Sequence, residues 1–123
     1  MTRPNERGAA TVVAVTVVVA LVTVAAVGVL GLAYSAAARS VRAAADLVAV
    51  SGAQAKAKGA DACDEARRVA ARNEVEIGGC EVTGDEIDFV VEVTVRRGVG
   101  LRFPGLPERV QAVAYAGTVT GVP

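Results

Sequence analysis

A chain of 123 residues that is 53% hydrophobic but only 3% aromatic draws its apolar content from alanine and valine. That suits close helix packing and strands rather than a deep ligand pocket, and the length allows one domain with little room for a second. The 13 basic and 13 acidic side chains cancel, so no global field draws in nucleic acid or an acidic substrate.

The chain has no histidine, which removes the commonest general acid–base and the commonest metal ligand. Its two cysteines are too few for a zinc site without histidine partners. The expectation is a protein that is not an enzyme and has no cofactor, metal, nucleic acid or small-molecule substrate.

Residues 1–8 form a short basic head, with Arg3 and Arg7 against Glu6, and a possible leader. From Gly8 to Ala38 there is no charged residue. That run exceeds the roughly 20 residues needed to cross a hydrocarbon core, so residues 9–38 are expected to be a single transmembrane helix. Its valine-rich centre, Thr11 to Leu32, would be a poor helix in water. Lipid forces the helix, because the backbone must satisfy its own hydrogen bonds there. Tyr34 falls where an interfacial aromatic belongs, and Arg39 and Arg42 mark the exit into water.

Two other readings stay open. A cleaved secretory signal would use Ala36-Ala37-Ala38 as its small-residue site, although signal peptides usually carry only about 7–15 apolar residues. A buried core helix is the third, and nothing else in the chain is large enough to bury it.

Residues 39–123 are expected to be a small extracytoplasmic α+β domain. Val41, Ala44, Ala45 and Val48 recur at helical spacing while Arg42, Asp46, Lys56 and Lys58 can face water. No proline intervenes, so the membrane helix is expected to continue into this amphipathic half, weakened at Gly52 and stopped at Gly59. A second, short helix reads from Asp61 to Asn73 with Ala62, Ala66, Val69 and Ala70 on one face. Asp61, Asp64 and Glu65 favour its start, and Arg67, Arg68 and Arg72 its end.

The period then changes from helix to strand. Val75, Ile77 and Val82 suggest a first strand interrupted by Gly78-Gly79, and Gly84-Asp85 supplies a turn. Ile87, Phe89, Val91, Val93 and Val95 alternate with mostly polar residues through Arg96, the pattern of a half-buried strand. Arg97 to Pro107 reads as a Gly- and Pro-rich loop. Arg109 to Thr120 reads as a third strand with Val110, Ala112, Ala114 and Ala116 on one side. Three antiparallel strands covered by helix make a sufficient small α+β fold.

Cys63 falls in the first turn of the second helix and Cys80 follows the glycine pair. Paired, they would tie that helix to the first strand; unpaired, they would be small buried hydrophobes. An exported small domain favours the disulfide, and a disulfide places the domain on the oxidising face of the membrane. The flanking charges decide orientation poorly, since Arg3 and Arg7 nearly balance Arg39 and Arg42.

Two carboxylate clusters, Asp61/Asp64/Glu65 and Asp85/Glu86/Asp88, read as helix-start and turn residues, and their spacing matches no calcium loop. Ser51 with Lys56 and Lys58 invokes Ser–Lys catalysis but has no motif around it. Gly28 and Gly31 could admit another helix, though not with GxxxG spacing.

Arg7-Gly8-Ala9-Ala10-Thr11-Val12, a glycine after a basic residue opening into the apolar helix, resembles the N-terminus of type IV pilin-like proteins. A prepilin peptidase cuts those after such a glycine, which makes Gly8 and Ala9 a possible cleavage site. Arg42-Ala43-Ala44-Ala45-Asp46-Leu47-Val48-Ala49, the spaced Cys63 and Cys80, and the valine-rich strand 87–95 resemble the TadE-like proteins. These are minor pilin-like components of tight-adherence (Flp-type) pilus systems, and the likeness is to a short group found near a helicase and secretion genes.

The resemblance implies a structural role at the cell membrane in pilus assembly or secretion. Its partners would be the lipid bilayer and other pilin-like subunits or secretion-machinery membrane proteins. Pilin-like proteins usually carry Glu five residues after the cleaved glycine, often followed by an aromatic. Val13 and Ala14 stand there in this chain. An accessory tether that binds partner membrane helices without entering a filament is therefore the alternative.

Overall fold

The computed structural model describes residues 4–100, 104–105 and 108–119. Arg3, parts of the expected Gly/Pro loop, and Thr120 lie outside the described residues. Two helices precede three strands: α1 (Pro4–Ala57), α2 (Ala62–Arg72), β1 (Glu76–Gly84), β2 (Phe89–Gly98) and β3 (Arg109–Thr118). The strands form one antiparallel sheet in the order β1-β2-β3, giving the expected α+β fold. The chain divides into two compact units, Met1–Ser35 and Ala36–Pro123.

The first unit is the apolar part of α1. The helix is already formed at Pro4, because proline is tolerated in a first turn where its missing N–H has no partner to lose. Gly8 therefore lies inside the helix rather than in front of it. Apart from the half-buried Leu30, the large apolar side chains from Val12 to Leu32 are exposed, Val24 by 71% and Leu32 by 73%. The hydroxyls of Thr11, Thr16 and Thr23 donate to the carbonyls of Arg7, Val12 and Val19, one turn back. Those polar groups are satisfied without water, as an apolar solvent requires.

The second unit is built around the inner face of β2. Val41, Ala44, Ala45, Val48 and Ala49 of α1 are buried at spacings of three and four, the stripe expected of a packed helix face. They join Ala62, Ala66 and Ala70 of α2, Val75, and Phe89, Val91, Val93 and Val95 of β2 in one cluster. Alternation along β2 puts every second side chain into that cluster. On β3, Ala114 is buried, and Val110, Ala112 and Ala116 pack against the core from the same face. With so many alanines, the elements approach closely and the core is thin.

α1 runs on unbroken through Gly52, which is also a contact. A Cβ built there would lie 3.0 Å from the Ala62 carbonyl oxygen and 3.5 Å from Val91 Cγ1. Only a bare Cα lets α1 pass the start of α2 at this distance. The helix ends as expected at Gly59, whose φ of +84° permits a left-handed cap. Gly59 N–H donates to the Lys56 carbonyl at 2.9 Å and Ala60 N–H to that of Ala55 at 2.9 Å. That pair of bonds defines a Schellman ending. Asp61 then caps α2, accepting the Asp64 N–H at 2.9 Å.

The sheet departs from expectation at three places. The glycine pair does not interrupt β1; the register shifts between Ile77 and Gly79, so Gly78 is accommodated as a bulge within a continuous strand. Ile87 is not on the buried face of β2 but 66% exposed in the turn before it. The cause is Asp85, whose carboxylate accepts the N–H groups of Ile87 and Asp88, both at 2.8 Å, and holds residues 85–88 in an Asx-type turn. At its other end, β2 runs on through Arg97 to Gly98, where a loop was expected, because both residues pair with β3.

Candidate functional site

Cys63 in the first turn of α2 is disulfide-bonded to Cys80 in β1, with Cα atoms 5.9 Å apart and a sequence separation of 17. Cys80 opposes Val93 in the sheet register, so the bond reaches the sheet from its core side. It fastens α2 to β1 where α2 otherwise packs on the core through Ala62, Ala66, Ala70 and the half-buried Val69. Closing such a loop stabilises the fold by about 3 kcal/mol in the chain-entropy picture, a large share for a domain of this size.

The apolar part of α1 carries a run of exposed large hydrophobic side chains from Val12 to Val29. Among the described residues it is one helix long and apolar enough to cross a membrane. A single-pass membrane protein has such a helix, and so does a signal sequence or a soluble protein with a core helix. Gly28 and Gly31 have open space where a side chain would be, leaving two places for a neighbouring helix to approach. At the other end of the run, Gly8 and Ala9 are exposed and nothing lies within 4 Å of a Cβ built on Gly8.

The carboxylate clusters have structural roles. Asp61 is the cap of α2, Asp64 pairs with Arg67 at 3.1 Å, and Glu65 pairs with Arg68. Asp85 organises the β1–β2 turn, and the two N–H bonds, that from Asp88 foremost, hold its carboxyl below the ordinary carboxylate range. Lys56 stands 3.9 Å from Glu86 and 5.3 Å from the centre of the Phe89 ring, tying the end of the packed helix to that turn. Lys56 thus serves the turn, while the Ser51 hydroxyl donates to the Leu47 carbonyl at 2.7 Å. Among the described residues no group of three His, Cys, Asp or Glu is placed to hold a metal ion.

An arginine centre at the other end of the sheet was not anticipated. Arg97 donates from Nη2 to the Asn73 carbonyl at 2.5 Å, from Nε to that of Glu74 at 3.3 Å, and from Nη1 to the Ser40 hydroxyl. One side chain thereby joins β2, the end of α2 and α1. Beside it, Arg96 and Arg109 both reach Glu76 Oε2, at 3.4 and 3.5 Å. These residues line a cleft of about 260 Å³ with Glu74 and Gly98. The available signal was strand parity: Arg97 follows Phe89, Val91, Val93 and Val95 at the same two-residue interval.

Set against family models, curated proteins and solved structures, the chain matches none of them.

Proposed function

We propose that this chain is a single-pass membrane protein with its disulfide-bonded domain on the oxidising side, acting as a minor, TadE-like pilin component in pilus assembly or secretion. The observation that carries the reading is the make-up of α1. One helix holds a charge-free run with its valines exposed and, further along, a stripe buried against a small sheet. A pilin-like subunit needs both parts, the first to wait in the bilayer and then join a helical bundle, the second to carry a folded domain. The Cys63–Cys80 bond supports the outside orientation, because thiols stay reduced in the cytoplasm.

A second reading, a membrane-tethered accessory that binds partner helices and enters no filament, is favoured by Val13. Its side chain is 62% exposed and apolar where a pilin-like subunit presents a carboxylate.

The test is the mature N-terminus of protein taken from native membranes, read by mass spectrometry, together with labelling of a cysteine placed at Gln54 by an impermeant reagent on intact cells. A chain beginning at Ala9 and a labelled Gln54 position are the expected results. An intact leader favours the tether, and protection from the reagent overturns the outside orientation.

A further inference from the structure

The arginine cleft lies at a defined place in the second unit. Arg97 reaches Ser40, two residues beyond Ala38, the last residue of the charge-free run. The C-terminal end of α2, the start of β1, the end of β2 and the start of β3 all meet there, through Asn73, Glu76, Gly98 and Arg109. Arg39 and Arg42 flank Ser40 and Val41 and are exposed. The opposite end of the same unit carries Asp61, Asp64, Asp85, Glu86 and Asp88. Lys56 and Lys58 stand with those carboxylates, and Glu74 and Glu76 with the arginines, so what distinguishes the end near Ser40 is its guanidinium groups.

We propose that the cleft between Arg96, Arg97 and Arg109 binds the phosphate of an anionic lipid headgroup. The inference rests on the membrane reading above, which puts residues 39–42 at the depth of the headgroups. Arg97 has its three nitrogens engaged by Glu74, Asn73 and Ser40, so it contributes a fixed charge rather than spare donors. Arg96 and Arg109 supply the donors. Their side chains are 43% and 60% exposed, and each makes a single contact to the same Glu76 oxygen. A guanidinium has five N–H groups, so both retain donors to offer in the fork geometry that matches a phosphate. Three guanidinium groups against the carboxylates of Glu74 and Glu76 leave the cleft positive. The lipid is favoured over a free phosphate by continuity: Ser40, which Arg97 holds, follows the end of the apolar run by two residues, with Arg39 and Arg42 near it in sequence.

The experiment uses the full chain in nanodiscs made from equal phosphatidylglycerol and phosphatidylcholine. Protein is released in mild detergent and its retained lipids are counted by mass spectrometry. Phosphatidylglycerol should be enriched about fivefold or more for wild type, the order expected when one or two arginines act at a membrane surface. The control Arg67→Gln/Arg68→Gln, in the middle of α2 and outside the lining of the cleft, should keep that enrichment. Arg96→Gln/Arg109→Gln should bring it near equality, and Glu76→Gln, which releases both guanidinium groups, should raise it. The Glu76 variant keeps the test decisive if the double variant unfolds.

Equal retention of the two lipids by wild type overturns the cleft assignment and leaves the membrane reading standing. A chain that does not enter the nanodisc overturns both. Displacement of phosphatidylglycerol by excess inorganic phosphate assigns the cleft to free phosphate and overturns the lipid.

Discussion

Arg97 on the central strand donates to the main-chain carbonyl of Asn73, the C-cap of α2, at 2.5 Å. A helix end leaves its last carbonyls without partners, and here a charged side chain from the sheet supplies one. The same guanidinium holds the Glu74 carbonyl, and Glu74 has the positive φ of 56° that turns the chain from α2 toward β1. A charge-assisted bond thus stabilises a strained non-glycine residue at the corner between α2 and β1.

Replacing that side chain should therefore destabilise the fold more than its exposure suggests. Arg97→Gln is expected to cost about 1.5–3 kcal/mol, the range for hydrogen bonds to a charged group, in urea unfolding followed by circular dichroism. Arg97→Lys should recover only part, since an ammonium cannot reach Asn73, Glu74 and Ser40 in one plane. A loss within 0.5 kcal/mol for both variants would show that the corner holds itself.

The disulfide makes a separate contribution. Cys63→Ser/Cys80→Ser, or reduction, should lower stability by about 3 kcal/mol and unfold the domain at a markedly lower temperature. Protein from the cell surface should show a faster-migrating band on non-reducing than on reducing gels. Two free thiols in that protein, detected by alkylation and mass spectrometry, would contradict the structure at this bond.

Gly117 should be intolerant of any side chain. It sits opposite Val90 in the β2–β3 ladder, and a Cβ built on it would lie 2.0 Å from the Phe89 carbonyl oxygen and 2.9 Å from Val90 Cα. Both are main-chain atoms of the central strand and neither can swing away. Gly117→Ala should cost about 3 kcal/mol or more, the scale of forced backbone strain. Gly98→Ala, whose new methyl would meet only the Glu108 carbonyl at 4.0 Å, should change stability by about 0.5 kcal/mol or less. Equal behaviour of the two variants would be inconsistent with this sheet register.

Much of this architecture was legible because two periods were clean. The three-and-four spacing of Val41, Ala44, Ala45 and Val48 and the two-residue alternation of β2 each name a buried face without reference to the rest of the chain. Where the reading failed, a local hydrogen bond or a distant partner decided. The alternation reaches back to Ile87, but Asp85 captures two amides and turns residue 87 outward. Arg97 and Gly98 look like loop by composition, yet their register with Val110 and Arg109 keeps them in the strand. The contact made at Gly52 is not legible because its neighbour, the Ala62 carbonyl, is ten residues away in sequence. The arginine cleft was hidden for the same reason: Arg96, Arg109 and Glu76 come from three strands and only pairing brings them together.

The β1–β2 turn should respond to acid. The Asp88 and Ile87 amides lower the Asp85 pKa in the folded state, so folding favours the ionised carboxylate. That contribution is present above the ordinary carboxylate range and is lost as pH falls through the lowered folded value. Hydrogen exchange at the Ile87 and Asp88 amides should accelerate over that interval. Asp85→Asn, which keeps an acceptor oxygen but cannot titrate, should hold their protection constant across it. Acid-induced opening of the same amides in the Asn variant would assign the effect to another group.

The final expectation concerns what α1 does once in a membrane, and it separates a subunit from a tether. If a prepilin peptidase acts on this chain, cutting between Gly8 and Ala9 frees an amine at the head of an exposed apolar helix. In pilin-like subunits a carboxylate five residues after the glycine can meet such an amine on a neighbour, and an apolar surround makes that pairing strong when both partners are present. Val13 cannot supply the charge, so the wild-type chain should dock weakly. It is expected in the membrane fraction with little in sheared filaments, even when cut. Gly8→Val should block cutting, because a side chain at that position crowds the peptidase cleft. Val13→Glu should raise the amount in sheared filaments several-fold if the missing charge is the only obstacle. Its side chain has room, since Val13 is exposed along α1. Abundant wild-type protein in sheared filaments would refute this account of Val13. An uncut N-terminus in wild type and Val13→Glu alike, with both confined to the membrane, would favour the tether.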